Sequence, residues 1–283
     1  MPSDNFCRRV FKTIEKYRLI KNGDVVYVGM SGGKDSAAAL YCLKRYAEEN
    51  GIDCRIIAFH LKIGQPKVVE DIINEQIDMV GVEKHFVSFE ELGISLPEAA
   101  KRTHRPICSV CGVAKRYLMN KIPRECGATK FATGHNMDDF LMFFFKNLLG
   151  KNYFWISKFK PKLKSSDERM LTKIRPLFHV TNSDVKAFCD DIGIPLLPAE
   201  ANKCIYLRSK STDDGTRAGW YEMLEAMDGF KRGFRQQLIS SVIDMGKFFE
   251  MPEIELKSCK ICGEPSSKDV CTFCSIFRNP STE

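Results

Sequence analysis

The sequence lacks any apolar run of about 18 residues, and the residues after Met1 do not form the charged and then apolar segment that directs secretion. Internal repeats and low-complexity tracts are also missing. We therefore expect a soluble, cytoplasmic protein that makes no membrane contact. Because the cytosol keeps thiols reduced, the 12 cysteines then need an explanation other than structural disulfides.

The size and charge of the chain allow more than one domain arrangement and more than one kind of partner. Its 283 residues are 44% apolar, which is enough for one large α/β domain with an appendage or for two modest domains. The formal net charge of +7 is compatible with a polyanionic partner without proving one.

A short apolar segment, Val25 to Val28, leads into a glycine turn and then into an alanine-rich segment after Ser36. The first segment predicts a buried parallel strand, and the second predicts a helix packed on it. In the turn, Gly32 and Gly33 let the backbone approach a ligand, and the start of the helix favours an anion. The spacing differs from the Walker pattern, which disfavours a simple NTPase switch.

The motif Ser31-Gly32-Gly33-Lys34-Asp35-Ser36 resembles the pyrophosphate loop of the N-type ATP pyrophosphatases. The resemblance implies that ATP and Mg²⁺ bind here, and that ATP is cleaved between its α and β phosphates so that AMP activates a carbonyl oxygen. It also places Phe59 beside the adenine and adds Gly134 to the nucleotide site. All six loop residues, Phe59 and Gly134 are therefore candidate nucleotide-binding residues.

Strand and helix patterns alternate after this motif. Residues 54–59 and 83–89 predict strands, and residues 67–80 predict a helix. Such alternation is typical of a doubly wound parallel α/β sheet, which binds ligands at the carboxyl ends of its strands. The resemblance implies the PP-loop type of this sheet, also called the adenine nucleotide alpha hydrolase type. We expect four parts: an N-terminal helix in 1–20, a PP-loop ATP pyrophosphatase domain in 21–210, a helical part in 211–250 and a four-cysteine zinc finger in 255–277.

Cys108 and Cys111 form a Cys-x-x-Cys pair that opens a helix predicted over 112–121. The helix dipole and nearby cations favour thiolates there, which suits metal binding or sulfur chemistry. Cys204 lies in a comparable loop, after an apolar segment, 194–197, that predicts a strand. Three thiolates are one too few for a closed zinc site, whereas a four-iron cluster on three thiolates leaves one iron open to sulfide.

The loop, the cysteine pair, the motif Gly134-His135-Asn136-Met137-Asp138-Asp139 and a late third cysteine occur in this order in the tRNA 2-thiolation enzymes of the TtuA, Ncs and TtcA group. The chain resembles that group over roughly residues 20–210. The resemblance implies that Cys108, Cys111 and Cys204 hold a [4Fe-4S] cluster. It also makes Lys115 and Asp139 catalytic, together with Cys108 and Cys204.

Three other interpretations of these cysteines stay open. They are a redox Cys-x-x-Cys pair, a zinc site completed by His104 or His60, and a cysteine that carries a persulfide.

The helix predicted over 137–149 begins with Asn136 as its N-cap and with Asp138 and Asp139 in its first turn. Capping alone explains Asp138, whereas the family position of Asp139 indicates catalysis. Residues 140–145 are all apolar, whereas the resembling enzymes usually have an acidic residue directly after the aspartate pair. This apolar stretch makes a homodimer a further expectation.

Residues 151–175 contain eight Lys or Arg residues interleaved with the aromatic residues Tyr153, Phe154, Trp155 and Phe159. Cations that neutralise phosphates, together with rings that stack on bases, are typical of a contact with single-stranded or loop RNA. The alternative is a solvated hairpin. We therefore expect tRNA as a partner.

The last cysteines have the spacing Cys-x2-Cys, eight residues, Cys-x2-Cys, which predicts a closed Zn²⁺ site of Cys259, Cys262, Cys271 and Cys274. So short a segment has no core of its own, and metal binding should supply its folding free energy.

Taken together, the residues and the resemblance predict an ATP-dependent tRNA sulfurtransferase that adenylates a nucleobase carbonyl, uridine C2 first of all, and replaces its oxygen with sulfur. The sulfur donor would be sulfide or a sulfur-carrier protein. The alternatives are a thiolase that uses a cysteine persulfide without a cluster, a sulfur-free PP-loop ligase such as a lysidine synthetase, and a non-catalytic RNA-binding protein.

Overall fold

The computed structural model describes residues 2–164, 167–198, 206, 216–249 and 256–278. The helices are α1 (Pro2–Lys16), α2 (Lys34–Glu49), α3 (Lys67–Val80), α4 (Leu96–Thr103), α5 (Ile107–Glu125), α6 (Met137–Leu149), α7 (Asn182–Ile192), α8 (Thr216–Phe230), α9 (Phe234–Met245) and α10 (Thr272–Phe277), with a 3-10 helix at Tyr153–Lys158. The strands are β1 (Val25–Gly29), β2 (Arg55–Lys62), β3 (Glu83–Ser88), β4 (Lys130–Ala132), β5 (Lys162–Leu163), β6 (Thr172–Ile174), β7 (Lys257–Ser258) and β8 (Pro265–Ser266).

Six strands form one sheet in the order β3-β2-β1-β4-β6-β5, and only the edge strand β5 is antiparallel to its neighbour. The chain builds outward from β1 to β3 on one side and then restarts at β4 on the other. The boundary between β1 and β4 is therefore the point where strand order reverses, which is where open α/β sheets bind ligands. This confirms the predicted doubly wound parallel sheet.

Both faces of the sheet are covered. One core cluster joins β1 to α1, α2, α3 and α7. A second joins the opposite face to α4, α5 and the C-terminal ribbon, which consists of β7, β8 and α10. The alanines at 37–39 are buried, which lets α2 pack closely on the sheet. Strand β1, which leads into the turn, is therefore buried on both faces.

A third core cluster forms where α6 packs against α8, α9 and the 3-10 helix. Phe140, Leu141 and Phe144 are all less than 7% exposed in it. The apolar stretch of α6 is therefore covered by the chain's own C-terminal helices, and it gives no support for a homodimer through that face.

Three element boundaries differ from the sequence prediction. Strand β2 continues to Lys62, so Phe59 lies inside the strand and not at its end. Helix α5 begins at Ile107, which puts both cysteines of the pair inside its first two turns. Residues 194–197 form no strand, although Ile194 is buried. None of the helices in the described ranges has both the length and the apolar composition of a membrane span.

Candidate active site

The loop after β1 is closed by the side chain of Ser36. Its hydroxyl accepts a hydrogen bond from the Ser31 backbone N–H (3.3 Å), lies 3.2 Å from the Ser31 hydroxyl and donates to the Gly33 carbonyl (2.9 Å). Gly32 has a φ of +79°, which favours glycine. A Cβ there would lie 2.6 Å from Cδ1 of Leu197, so the Leu197 side chain leaves no room for a larger residue at this position.

The start of α2 is open to an anion. Gly33 is the N-cap residue, and no side chain in the described part of the chain caps this 16-residue helix. The first-turn N–H groups and the helix dipole therefore point at the space beside the loop. This is the geometry that the loop sequence predicts for a phosphate site.

Lys34 and Asp35 connect the loop to neighbouring elements. The Lys34 ammonium donates to both Asp35 carboxylate oxygens (2.8 Å each) and to Oδ1 of Asn182 at the start of α7 (2.6 Å). The Asn136 side chain donates to Oδ1 of Asp35 (2.9 Å), which joins α2 to the start of α6. The ammonium is thus paired with a carboxylate in this structure.

Gly134 lies directly against the loop. A Cβ at this position would come within 2.6 Å of the Asp35 carbonyl carbon and oxygen, and within 2.7 Å of the Ser36 nitrogen. These are backbone atoms, which cannot give way as a side chain can. The sequence predicts Gly134 at the nucleotide site, and the structure shows that close backbone approach requires a glycine there.

Asp138 and Asp139 have different surroundings. Asp138 is 1% exposed, and its Oδ2 accepts from the Asn182 N–H (2.7 Å) and from Arg235 of α9 (3.0 Å), while its Oδ1 has no partner in the described residues. Burial raises the pKa of Asp138. Asp139 closes a capping box with Asn136 and also contacts α8. The prediction that capping alone explains Asp138 is therefore wrong, because its carboxylate joins α6 to α7 and α9 and the cap of α6 is made by Asn136 and Asp139.

Cys108 is exposed and Cys111 is half-buried at the start of α5. A helix that leads into a parallel strand must begin at the carboxyl edge of the sheet, and α5 leads into β4. The cysteine pair and Lys115, one turn further on, are therefore at the same edge as the phosphate loop.

His60 connects this region to the loop. Its Nδ1 lies 2.9 Å from the carbonyl of Met30, which only accepts, so Nδ1 carries the proton. Burial lowers the pKa of His60, and the charge of Lys115 acts in the same direction. Phe59 is 1% exposed and packs on Tyr27 and Phe131, so its ring belongs to the core.

Cys204 lies outside the described residues. Pro195 precedes it in the chain. The buried Gln76 donates to the carbonyls of Pro195 (2.7 Å) and Gly32 (3.0 Å). Two residues beyond it, the Tyr206 hydroxyl donates to the Ile63 carbonyl (3.1 Å) just after β2. Pro195 is thus joined to the turn after β1 through Gln76, and Tyr206 is joined to the end of β2.

This geometry agrees with what is found in known proteins. A family model described as the PP-loop domain matches residues 2–210. The chain belongs to the PP-loop family.

Relatives of this PP-loop protein include several tRNA-modifying enzymes. The tRNA-5-methyluridine(54) 2-sulfurtransferase of Pyrococcus horikoshii is 36% identical over 276 residues, which cover 96% of this chain and 84% of the relative. The tRNA-cytidine(32) 2-sulfurtransferase of Azoarcus sp. is 34% identical over 196 residues, which cover 68% of this chain and 61% of the relative.

Among solved structures, the U34-tRNA thiolase NcsA from Methanococcus maripaludis, determined with its [4Fe-4S] cluster, is similar with a TM-score of 0.76 and 26% identity. The match covers 98% of this chain and 87% of that structure. These findings confirm the predicted resemblance to the tRNA 2-thiolation group.

In the PP-loop protein, the four C-terminal cysteines converge. The sulfur atoms of Cys259, Cys262, Cys271 and Cys274 all lie within 4.8 Å of one another. This confirms the predicted four-thiolate cluster, whose donor set fits a closed metal site. All 11 cysteines in the described ranges are free thiols.

The ribbon around these cysteines packs on α5. The ring of Phe273 stacks on Tyr117 with a centroid distance of 3.8 Å, and Arg124 forms a two-bond ion pair with the buried Glu264 (2.9 and 2.6 Å). The ribbon is thus attached to the same helix that begins with the cysteine pair.

Several residues at the site are not predicted from the sequence: Gln76, Asn182, Arg217, Tyr221 and Arg235. All of them reach the site across large separations in the chain, and Arg217 lies 78 residues from Asp139. For Arg217 and Arg235, the sequence offers only the basic character of the C-terminal helices as a signal.

Proposed function

We propose that this PP-loop protein is an ATP-dependent tRNA sulfurtransferase that adenylates a nucleobase carbonyl, uridine C2, and replaces its oxygen with sulfur. The topology carries the proposal: α2 begins directly after β1, and α5, which leads into the neighbouring parallel strand β4, begins at the same edge of the sheet. A sulfur-free ligase needs the loop at the start of α2 but not the cysteine pair at the start of α5. The names of the relatives support tRNA as the substrate.

The chemistry follows from the leaving group. A ring carbonyl oxygen leaves poorly, but transfer of AMP to that oxygen, with release of pyrophosphate, converts it into part of a good leaving group. The loop from Ser31 to Ser36 would hold the phosphates, and Lys34 would exchange its contact with Asp35 for the phosphate oxygens. Oδ2 of Asp35 would then be available to hold Mg²⁺, for which carboxylate oxygens are suitable ligands.

The first turns of α5 fit a metal cluster. Cys108 is accessible, Cys111 is half-buried, and both lie where the helix dipole favours thiolates. With Cys204 they provide three thiolates, and a [4Fe-4S] cluster held this way supplies an open iron for sulfur. We assign Lys115 to stabilise negative charge that develops on the nucleobase, and Asp139 to transfer a proton.

The surface formed by residues 151–160 is proposed to contact tRNA. Phe154 and Trp155 are each 52% exposed, and the Lys158 ammonium lies 4.6 Å from the Trp155 ring centroid. Exposed rings beside cations suit stacking on unpaired bases. The C-terminal ribbon is proposed to hold Zn²⁺ in a structural role.

Incubation of anaerobically purified protein with ATP, sulfide and tRNA tests this function, with mass spectrometry of the digested nucleosides. We expect a 2-thio nucleoside and AMP in equal amounts, together with absorbance near 400 nm that Cys108→Ala removes. Cys126→Ala is the matched control, because Cys126 is also an exposed thiol but lies at the other end of α5.

Two outcomes would contradict the proposal. Colourless protein that thiolates tRNA only with a persulfide donor would favour the persulfide mechanism, which the exposure of Cys108 also permits. AMP formation without sulfur in the tRNA would favour a sulfur-free ligase.

A further inference from the structure

Side chains of α8 reach the capping box at the start of α6. Oδ2 of Asp139 accepts from the Asn136 N–H (3.1 Å), while its Oδ1 accepts from Nη2 of Arg217 (2.8 Å) and from the Tyr221 hydroxyl (2.7 Å). Asp139 is 4% exposed. Both of its carboxylate oxygens are thus held, one by its own helix and one by α8.

The proton of Tyr221 can be placed from these contacts. Nε and Nη2 of Arg217 lie 2.9 and 2.8 Å from the Tyr221 oxygen, and a guanidinium only donates. The tyrosine oxygen therefore accepts from Arg217, and its single proton is directed at Asp139. Oδ1 of Asp139 is therefore the acceptor for both Arg217 and Tyr221.

Other charges surround the same carboxylate. From α6 it faces Asp138, which is paired with Arg235 of α9. His135 precedes the helix, and its surroundings include Arg175 and Asp35, the latter paired with Lys34. Burial raises the pKa of Tyr221, so its hydroxyl is protonated near pH 7.

We propose that Arg217 and Tyr221 are positioning residues that hold the Asp139 carboxyl group in a fixed orientation for the reaction. This inference rests on the proposed function, in which Asp139 transfers a proton. Arg217 places its positive charge against Oδ1, and the Tyr221 hydroxyl holds the same oxygen from α8.

The pH dependence of AMP formation tests the role of Arg217. We expect Arg217→Gln to move the acid limb of the profile upward by about one to three pH units, because a cation in direct contact favours the charged form. Arg217→Lys should move it less, and Tyr221→Phe should lower the rate with a smaller displacement. Arg232→Gln, which changes an exposed arginine in the turn between α8 and α9, is the matched control and should leave the profile unchanged.

Thermal unfolding of Arg217→Gln, Asp139→Asn and the double variant tests the contact without any enzyme assay. We expect Arg217→Gln to lower Tm in the wild-type background and to have much less effect when Asp139 is already neutral. Additive Tm changes together with an unmoved acid limb would overturn the inference. An inactive wild-type protein that still shows the non-additive Tm changes would instead count against the proposed function alone.

Discussion

At the scale of single residues, Gly134 shows how closely two loops approach each other. The start of α2 and the turn before α6 meet backbone to backbone at this position, with no room for a Cβ. The position is therefore set by space and not by turn conformation, since Gly134 is absent from the glycines with positive φ in the described ranges.

We predict that Gly134→Ala displaces the first turn of α2 and lowers ATP affinity more than tenfold. Overpacking of this kind typically destabilises a protein by about 1–3 kcal/mol. Isothermal titration with ATP and urea unfolding measure the two effects. Gly229→Ala is the control, because a Cβ there has no neighbour within 4 Å and α8 should tolerate or favour alanine. Equal ATP affinities in both variants would contradict the close approach.

The histidines predict how stability depends on pH. Burial lowers the pKa of His179 to about 4, and the charge of Lys16 adds to this; the pKa values of His60, His85 and His135 are lowered as well. In the range from pH 6.5 to 4, the unfolded chain binds a proton at His179 that the folded protein does not. Stability is therefore lost as the pH falls through this range.

We expect His179 to reduce the free energy of unfolding by up to about 1.4 kcal/mol per pH unit in that window. His179→Gln, which can keep a hydrogen bond to Tyr17, should flatten the dependence in urea unfolding at pH 7, 6 and 5. His104→Asn changes an exposed histidine and should leave the pH dependence of the free energy of unfolding unchanged. An unchanged slope in His179→Gln would show that His179 is not buried as a neutral group.

At the scale of elements, some boundaries follow directly from local chemistry. Helices α3 and α6 occupy the residues that the sequence predicts, because Gly81 ends one in a left-handed conformation and Asn136 begins the other with a capping box. Strand β2 runs three residues further than predicted, because pairing with β3 continues through the mixed segment from His60 to Lys62. Pairing between distant strands cannot be inferred from a local pattern.

The C-terminal elements show the same limit. The sequence predicts a helical part in 211–250 and an apolar α6, but only the structure shows that each covers the other. The contacts of Arg217 and Arg235 with the two aspartates depend on that packing. The nucleotide loop could therefore be predicted from its motif, whereas the residues that support Asp139 could not.

The ion pair that joins the ribbon to α5 leads to a prediction at this scale. Glu264 is 7% exposed and neutralises Arg124, so Glu264→Gln should weaken the charged hydrogen bonds of this pair and cost about 1.5–3 kcal/mol. Calorimetry should show a lower Tm. Asp269→Asn breaks the exposed pair with Lys260 in the same ribbon and should leave Tm unchanged. Similar Tm values for both variants would mean that the Arg124–Glu264 pair does not attach the ribbon to α5.

At the scale of the whole molecule, the excess of positive charge determines how a polyanion binds. With a net charge of +7 and about six phosphates contacted, tRNA affinity should fall about a thousandfold between 50 and 200 mM salt. Filter binding at several salt concentrations measures the slope. A flat dependence would contradict phosphate contacts as the main source of affinity.

Stacking of the exposed aromatic rings on bases should contribute binding free energy for tRNA that salt does not screen. We expect Trp155→Ala to weaken tRNA binding by tenfold or more at every salt concentration, since stacking on one base contributes about 1–3 kcal/mol. Met79→Ala removes an exposed apolar side chain of α3 and is the control. Equal affinities for the two variants would place the RNA elsewhere on the surface.

The side-chain amide of Gln76 has a consequence for how the molecule responds to its nucleotide. One NH2 group holds the carbonyls of Gly32 and Pro195 together, and its own carbonyl oxygen has no partner in the described residues. The backbone of the turn after β1 and the segment at Pro195 are thereby joined through a single side chain. A shift of Gly32 on nucleotide binding would therefore be passed directly to Pro195.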